Sequence, residues 1–166
     1  MKAPRKGESM RNSVKVGVLF IVSIFFSFKS FAYCFNEAGE KYKIDPALLK
    51  SIAMQESGLN AKAINKNKRN GKVVSIDYGV MQINSTHIPG LIKLGVIKSH
   101  EDLLNNPCLN VQVGAWVLAK HLRKCGVNWE CLGSYNGGFS EKNKQIRLNY
   151  AKRIYSKYLK ETTFRN

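Results

Sequence analysis

Residues 45–58 read DPALLKSIAMQESG, and this stretch carries the signals for the start and the end of one helix. Asp45 is a favoured N-cap residue, because its carboxylate can accept a hydrogen bond from a backbone N–H of the first turn. Pro46 suits the first helical position, since it has no N–H to leave unpaired. Gly58 tolerates the left-handed conformation that ends many helices. The stretch therefore predicts a helix from Pro46 to about Ser57.

The same stretch predicts a helix face that is apolar except for one carboxylate. Leu49, Ile52 and Glu56 stand at positions i, i+3 and i+7, which lie on one face of a helix. Burial disfavours the charged form of a carboxyl group, so we expect a raised pKa for a Glu on this face. Such a group is a candidate general acid. The alternative is a Glu at the rim of the apolar face, with its carboxylate in water.

Helical signals continue on both sides of this stretch, and strand signals are few. Residues 60–77 are polar and rich in Lys and Asn, and Asn70 followed by Gly71 predicts a turn, so this segment is a loop or a small hairpin. Other helices are predicted over Phe35 to Tyr42, over Trp129 to Tyr135, and from about Lys142 to Leu159. A capping box at Ser99 and Asp102 predicts the start of another helix. Pro107 to Asn110 precedes a long helix that ends at Gly126. The helix that begins at about Lys142 places on one stripe Ile146, Tyr150, Ile154 and Tyr158. The predicted fold class is mostly α, a compact helical domain with at most a short β-hairpin.

Length and charge narrow the classes of function. A chain of 166 residues with 44% hydrophobic residues corresponds to one folded domain, which excludes a multidomain enzyme. The formal net charge is +16, and residues 33–166 keep 21 Lys and Arg against 10 Asp and Glu. An anionic partner such as a nucleic acid, a membrane surface or a cell-wall polymer would fit this charge, although general solubility is the alternative explanation. The sequence has no helix-turn-helix or zinc-finger spacing, which argues against a nucleic-acid partner.

The first 32 residues have the three parts of a secretory signal peptide, and export also argues against a nucleic-acid partner. Basic residues precede an apolar run at residues 16–28, and Ser30 and Ala32 are the small residues of a cleavage site. The run is shorter than the roughly 20 residues that cross a bilayer as a helix. We therefore predict cleavage after Ala32, a periplasmic protein and a mature domain of residues 33–166. The alternative is an uncleaved segment that tethers the protein to the membrane.

The cysteines predict disulfides. The chain has four of them, namely Cys34, Cys108, Cys125 and Cys131. An even number of cysteines in an exported domain favours disulfide bonds over free thiols. Three pairings are possible, and the simplest joins Cys34 to Cys108 and Cys125 to Cys131, because the second pair is only six residues apart. No Cys-x-x-Cys spacing occurs and the three histidines are scattered, so we predict no metal site.

Two later stretches combine glycines with side chains that suit a carbohydrate ligand. Residues 77–84 read DYGVMQIN, in which a Gln and an Asn offer both donors and acceptors beside a glycine turn. Residues 134–138 read SYNGG, in which an aromatic face and an amide stand beside two glycines that let a ligand approach the backbone. Taken singly, each pattern is also ordinary turn chemistry.

In this order, the stretches resemble the four motifs of the soluble lytic transglycosylase (SLT) domain family. The motifs are Glu56-Ser57 at a helix end, Gly79 to Asn84, Tyr135 to Gly138, and Tyr150 on the last helix. The resemblance covers about residues 34–158. It is closest to the small single-domain members that accompany type III secretion, type IV secretion, conjugation and pilus systems. Two departures touch no proposed polar contact: Val80 stands where the family usually has Leu, and Gly137 where it often has Ala.

The resemblance implies a lysozyme-like fold and cleavage of the β-1,4 bond between N-acetylmuramic acid and N-acetylglucosamine in peptidoglycan. Glu56 would be the single catalytic acid/base, and the muramic acid 6-hydroxyl would close on C1 to leave a 1,6-anhydro end. Ser57 would orient Glu56 or contact the substrate, and Tyr150 would hydrogen-bond near the catalytic carboxylate. The implied lining of the glycan groove is Met81, Gln82, Asn84, Tyr135 and Asn136. This chemistry requires no cofactor, and a monomer is the simple expectation.

Two other functions stay open from the residues alone. A lysozyme-type hydrolase would use Asp77 or another carboxylate to activate water, and its product would carry a reducing end. A component of a secretion system would bind peptidoglycan or a partner with little catalytic role. Tyr150 also has an alternative interpretation, as a core aromatic on its helix stripe.

Overall fold

A computed structural model describes residues 33–163, and the chain there is mostly helical, as the sequence predicts. The helices are α1 Phe35–Tyr42, α2 Pro46–Ser57, α3 Ile88–Lys93, α4 His100–Asn105, α5 Pro107–Cys125, α6 Trp129–Gly137 and α7 Lys144–Thr163. The strands are β1 Ile64–Arg69, β2 Lys72–Tyr78 and β3 Ile83–Asn84. Short 3-10 turns occupy Ser85–His87 and Glu141–Asn143. The predicted signal peptide at residues 1–32 lies outside the described residues.

Helix α2 has the predicted bounds, because local signals determine both of its ends. The Asp45 carboxylate accepts a hydrogen bond of 2.8 Å from the backbone N–H of Ala47, and Gly58 ends the helix with a φ of 61°. The other carboxylate oxygen of Asp45 accepts a hydrogen bond of 2.6 Å from the hydroxyl of Tyr158 on α7. Leu49 and Ile52 are fully buried. Both ends of α2 are therefore held in place, and its apolar face packs into the core.

The polar segment after α2 forms the hairpin that the sequence allowed. Strands β1 and β2 are antiparallel, and Asn70 and Gly71 make the turn with φ values of 50° and 75°. Two successive positive φ values are typical of the turns that match the twist of a hairpin. A third strand was not predicted: β3 is only two residues long and pairs Asn84 with Asp77 and Ile83 with Tyr78. The Ser57 hydroxyl, in the last turn of α2, hydrogen-bonds the carbonyl of Val80 between β2 and β3, so this loop lies beside the end of α2.

The loop between β2 and β3 is held by Asn110, a fully buried side chain of α5. Its amide donates hydrogen bonds of 2.9 Å to the carbonyl of Tyr78 and 3.2 Å to that of Leu103, and its carbonyl accepts one of 2.8 Å from the backbone N–H of Met81. Gly79 has a φ of 75°, and a Cβ atom there would lie 2.2 Å from the Asn110 amide nitrogen. Glycine is therefore required at this position, because any side chain would prevent the loop from making its hydrogen bonds with Asn110.

Helix α7 begins at Lys144, two residues later than predicted, and part of its predicted apolar stripe is wrong. Tyr150 and Ile154 are buried, but Ile146 is 48% exposed, and Arg147 is buried at 5% exposure beside it. The Arg147 guanidinium donates a 2.9 Å hydrogen bond to the Glu130 carboxylate and a 2.7 Å one to a backbone carbonyl. Because its charge is paired and its donors are used, this arginine can pack where an apolar residue was expected.

The disulfides join Cys34 to Cys108 and Cys125 to Cys131, as predicted. Structural disulfides persist in oxidising compartments, which points to an extracytoplasmic domain. Over residues 33–163, no helix is long and apolar enough to cross a membrane.

Candidate active site

A cleft of about 380 Å³ opens where the end of α2 meets the hairpin, the β3 strand, α5 and α6. Five of the residues predicted to act there line it, namely Glu56, Gln82, Asn84, Tyr135 and Asn136. Asp77, the carboxylate that the alternative hydrolase would use, also lines the cleft, as do Ser134 and Gly138 of the SYNGG stretch. The structure adds two residues that were not predicted, Asn67 and His121. Because the cleft is mostly polar and carries aromatic rings, it can bind the hydroxyls, amides and apolar faces of sugar rings.

Glu56 is the half-buried carboxyl at the base of this cleft. Burial raises its pKa from 4.5 to about 7, against the lowering effect of a hydrogen bond from Tyr150. The negative charge of Asp77 raises the pKa further, and Arg153 lowers it. A carboxyl with a pKa of about 7 is protonated in a large fraction of molecules near neutral pH, and it can also accept a proton there. The predicted general acid therefore has the protonation behaviour that the sequence suggested.

Tyr150 donates a hydrogen bond of 2.5 Å from its hydroxyl to Oε1 of Glu56. Burial holds the pKa of the Tyr150 hydroxyl well above its ordinary value, and the charge of Glu56 acts in the same direction. Tyr150 therefore remains a hydrogen-bond donor at every pH at which the protein would act. Tyr150 is also a core aromatic with 1% exposure, so it is both part of the core and a hydrogen-bond partner of Glu56.

Ser57 and Met81 make internal contacts beside the cleft. The Ser57 hydroxyl donates a 2.8 Å hydrogen bond to the carbonyl of Val80, which ties the end of α2 to the loop. The Met81 side chain is fully buried against Gly114, and its carbonyl accepts a 2.9 Å hydrogen bond from the hydroxyl of Tyr135. Both residues thus position the walls of the cleft, and their direct contact with substrate remains a prediction.

Asp77 faces the cleft with each carboxylate oxygen bound by an amide. Asn84 donates a hydrogen bond of 2.7 Å to one oxygen, and Asn67 donates one of 2.8 Å to the other. Gln82 has a positive φ of 49°, and its amide nitrogen donates a 2.8 Å hydrogen bond to the carbonyl of Gly79. These contacts fix the polar side chains before any ligand binds, which reduces the entropy that binding would cost.

His121 on α5 has a defined tautomer. Its Nδ1 lies 2.8 Å from the Ser134 hydroxyl, and that hydroxyl donates its one proton to the carbonyl of Cys131 at 2.6 Å. Nδ1 must therefore be the donor, which leaves Nε2 of the neutral ring as an acceptor. Burial lowers the pKa of His121, and nearby His87 and Lys120 lower it further. At neutral pH the ring is thus uncharged, with one acceptor for a hydroxyl or amide of a ligand.

Comparison with known proteins agrees with this geometry. A family model described as Transglycosylase SLT domain matches residues 33–157. The chain belongs to the SLT family. Membership identifies peptidoglycan as the polymer class that the cleft would take, and the residues of the four sequence motifs all lie in or beside it.

Several relatives of the SLT domain are similar over most of their length. "Peptidoglycan-binding-like protein" of Escherichia coli O157:H7 is 49% identical over 148 residues, covering 87% of this chain and 89% of that protein. "Protein IpgF" of Shigella flexneri is 42% identical over 142 residues, covering 86% and 90%. "Invasion protein IagB" of Salmonella typhimurium strain LT2 is 42% identical over 131 residues, covering 79% and 78%.

Two cleft residues that were not predicted stand outside any recognisable sequence motif. Asn67 lies in a hairpin strand, and His121 lies near the end of a long helix, so neither stands in a glycine-rich or capped motif. Only the folded chain brings them beside Glu56. Within residues 33–163, no group of three or more His, Cys, Asp or Glu side chains is arranged to hold a metal ion.

Proposed function

We propose that this protein is a lytic transglycosylase, which cleaves the β-1,4 bond between N-acetylmuramic acid and N-acetylglucosamine and leaves a 1,6-anhydro end. The observation that supports this most directly is the half-buried carboxyl of Glu56, which has a pKa of about 7 in a polar cleft. Two-carboxylate glycosidases divide the roles of acid and base between two groups. Here one group has a pKa that suits both roles in turn.

In the proposed reaction, protonated Glu56 first gives its proton to the glycosidic oxygen as the bond to C1 of the muramic acid breaks. The Glu56 carboxylate then accepts the proton of the muramic acid 6-hydroxyl while that oxygen bonds to C1. One proton is given and one is returned, so the enzyme ends as it began and no water is consumed. Tyr150 hydrogen-bonds the carboxylate form between the two steps, which stabilises the charge that burial would otherwise disfavour.

A lysozyme-type hydrolysis is the second candidate, and the position of Asp77 is the observation that favours it. Asp77 lines the same cleft, and its charge raises the pKa of Glu56. In that mechanism the Asp77 carboxylate would activate a water or stabilise the charge at C1. However, Asn67 and Asn84 each donate a hydrogen bond to an oxygen of this carboxylate, so both oxygens are already engaged by amides and fewer lone pairs face a water. This arrangement favours an electrostatic part for Asp77 over direct proton abstraction.

The decisive experiment is mass spectrometry of the muropeptides that the purified protein releases from peptidoglycan. We expect 1,6-anhydro products from the wild type and from Asp77→Asn at a reduced rate, and no release by Glu56→Gln. Reducing-end products from the wild type, lost in Asp77→Asn, would replace the proposal with a hydrolase. Binding without release by the wild type would favour a non-catalytic peptidoglycan-binding component.

We further infer that the mature domain of residues 33–166 works in the periplasm after removal of residues 1–32. Its role would be to open the wall locally for a secretion, conjugation or pilus apparatus, and it would act as a monomer without a nucleic-acid partner. The disulfides and the relative named as an invasion protein support this setting. N-terminal sequencing of the periplasmic form tests the boundary, since a protein that begins before residue 33 would contradict it.

A further inference from the structure

A second groove, of about 510 Å³, runs along the outer face of α7. Its lining, hereafter the α7 groove, consists of Gln55, Asn149, Lys152, Arg153, Ser156, Lys157 and Lys160. The α7 members recur at intervals of three and four residues, which places them on one continuous helix face. The groove has four cations and no carboxylate. Between residues 33 and 163, none of these four cations is within 4.0 Å of an acidic group.

The positive charge of the α7 groove is not cancelled by its own helix. Glu161 is the one acidic residue of α7, and Lys50 of α2 binds it at 2.6 Å. The groove lining contributes no aromatic ring and no large apolar side chain. The charged and amide groups of the lining therefore favour a polar, anionic ligand, and the alkyl stems of the lysines can pack along it.

One end of the α7 groove borders the catalytic carboxyl. The Arg153 guanidinium lies over the ring of Tyr150, 5.7 Å from its centroid, and the hydroxyl of Tyr150 contacts Glu56. Gln55, also in the groove lining, directly precedes Glu56 on α2. From Asn149 to the last lysine of the groove, the helix rises about 16 Å at roughly 1.5 Å per residue. A ligand in the groove would thus begin beside the reacting sugar and extend away from it.

We propose that the α7 groove binds the carboxylates of the peptide attached to the muramic acid at the cleavage site. This inference rests on the proposed function, since it places peptidoglycan at Glu56. An extended peptide of five residues spans about 16–18 Å, which matches the length of the groove. Peptidoglycan stem peptides carry free carboxylates along their length, so they meet the chemical requirement of a surface that has four unpaired cations. Lys152 and Lys157 lie in the middle of the groove and would contact them.

The experiment compares two soluble ligands by isothermal titration calorimetry with the Glu56→Gln protein. One is a peptidoglycan tetrasaccharide with its stem peptides, and the other is the same tetrasaccharide stripped by an amidase. We expect the first to bind about tenfold more tightly at low ionic strength, because several exposed charge pairs add and salt screens them. The double charge reversal Lys152→Glu with Lys157→Glu should remove this tenfold difference and leave binding of the stripped glycan unchanged.

A matched control reverses two exposed lysines elsewhere, Lys93→Glu with Lys142→Glu, and should retain the preference for the peptide-bearing ligand. The neutral pair Lys152→Gln with Lys157→Gln, checked by circular dichroism, should give an intermediate loss without the risk of charge-driven unfolding. Equal affinity of the Glu56→Gln protein for both ligands would overturn the inference. So would an equal loss for both ligands on charge reversal, which would indicate general attraction to anions. Failure of the proposed function is distinguishable, because it appears as absent product release by the wild type.

Discussion

Replacing Glu56 with Gln should stabilise the protein near neutral pH while it abolishes catalysis. The pKa of Glu56 is about 7 in the folded protein and 4.5 as an unperturbed side chain. At a pH at which the group is ionised in both states, that difference corresponds to a folding cost of about 3 kcal/mol. The side chain is half-buried and partly hydrated, so this figure is an upper bound and we expect about 2–3 kcal/mol. Gln carries no charge, and its carbonyl can keep the hydrogen bond from Tyr150.

The sign of this effect depends on pH in a defined way. The folded state binds the Glu56 proton more tightly than the unfolded state, so the wild type loses stability relative to the variant as pH rises from 4.5 to about 7. Below pH 4.5 the carboxyl is protonated in both states and the two proteins should be nearly equal. Above pH 7 it is ionised in both states, and the difference should be constant.

The assay is urea unfolding of wild type and Glu56→Gln at pH 4, 5.5, 7 and 8.5. The exposed Glu40 has no ion pair in the described part of the chain, so Glu40→Gln serves as the matched control for replacing a carboxylate by an amide. A difference between Glu56→Gln and wild type that is the same at all four pH values would refute the reasoning. A variant less stable than wild type at pH 8.5 would refute it as well.

Three further changes test the proposed site and the fold that positions it. Tyr150→Phe removes a hydrogen bond that lowers the pKa of Glu56. The alkaline limb of the pH–rate profile should therefore move to higher pH by up to about one unit. A limb that does not move would contradict this. Gly79→Ala should lower the free energy of unfolding in urea by about 3 kcal/mol or more, because a Cβ would lie 2.2 Å from the Asn110 amide nitrogen. A loss below about 1 kcal/mol would show that the Asn110 side chain can move aside. Replacing Cys34 and Cys108 by Ser should cost about 4 kcal/mol, against about 2 for the other disulfide, because the separations are 74 and 6 residues. The reverse order of unfolding midpoints would contradict the loop-entropy argument.

Elements with chemical signals at their ends could be predicted closely from the sequence. Helix α2 has the predicted bounds because Asp45, Pro46 and Gly58 act through contacts within a few residues. Helix α3 was missed because it has only six residues, which read IPGLIK and include a Pro and a Gly. Its stability comes from packing, since Leu91 is 2% exposed in the core. Local propensity carries little information about an element that exists because of its tertiary contacts.

Side-chain partners at long range were not predictable from periodicity. The buried Arg147 illustrates this, because a charged residue becomes a core residue only when Glu130 lies at the right place on another helix. His121 and Asn67 entered the cleft without any motif to mark them. By contrast, five residues predicted from the sequence do line the cleft, because glycines and amides at turns leave a pattern in the chain and because the motifs resemble those of a known family.

The sequence by itself determined both ends of α2, the turn of the hairpin, the even set of cysteines and the apolar face that carries Glu56. Only the tertiary structure decided what that carboxyl can do. Its hydrogen-bond donor, Tyr150, is 94 residues away in the chain on α7, which also carries Arg153, and Asp77 comes from β2. A pKa is a difference in free energy between two protonation states in one environment. That environment of low hydration and placed charges exists only after the helices have packed.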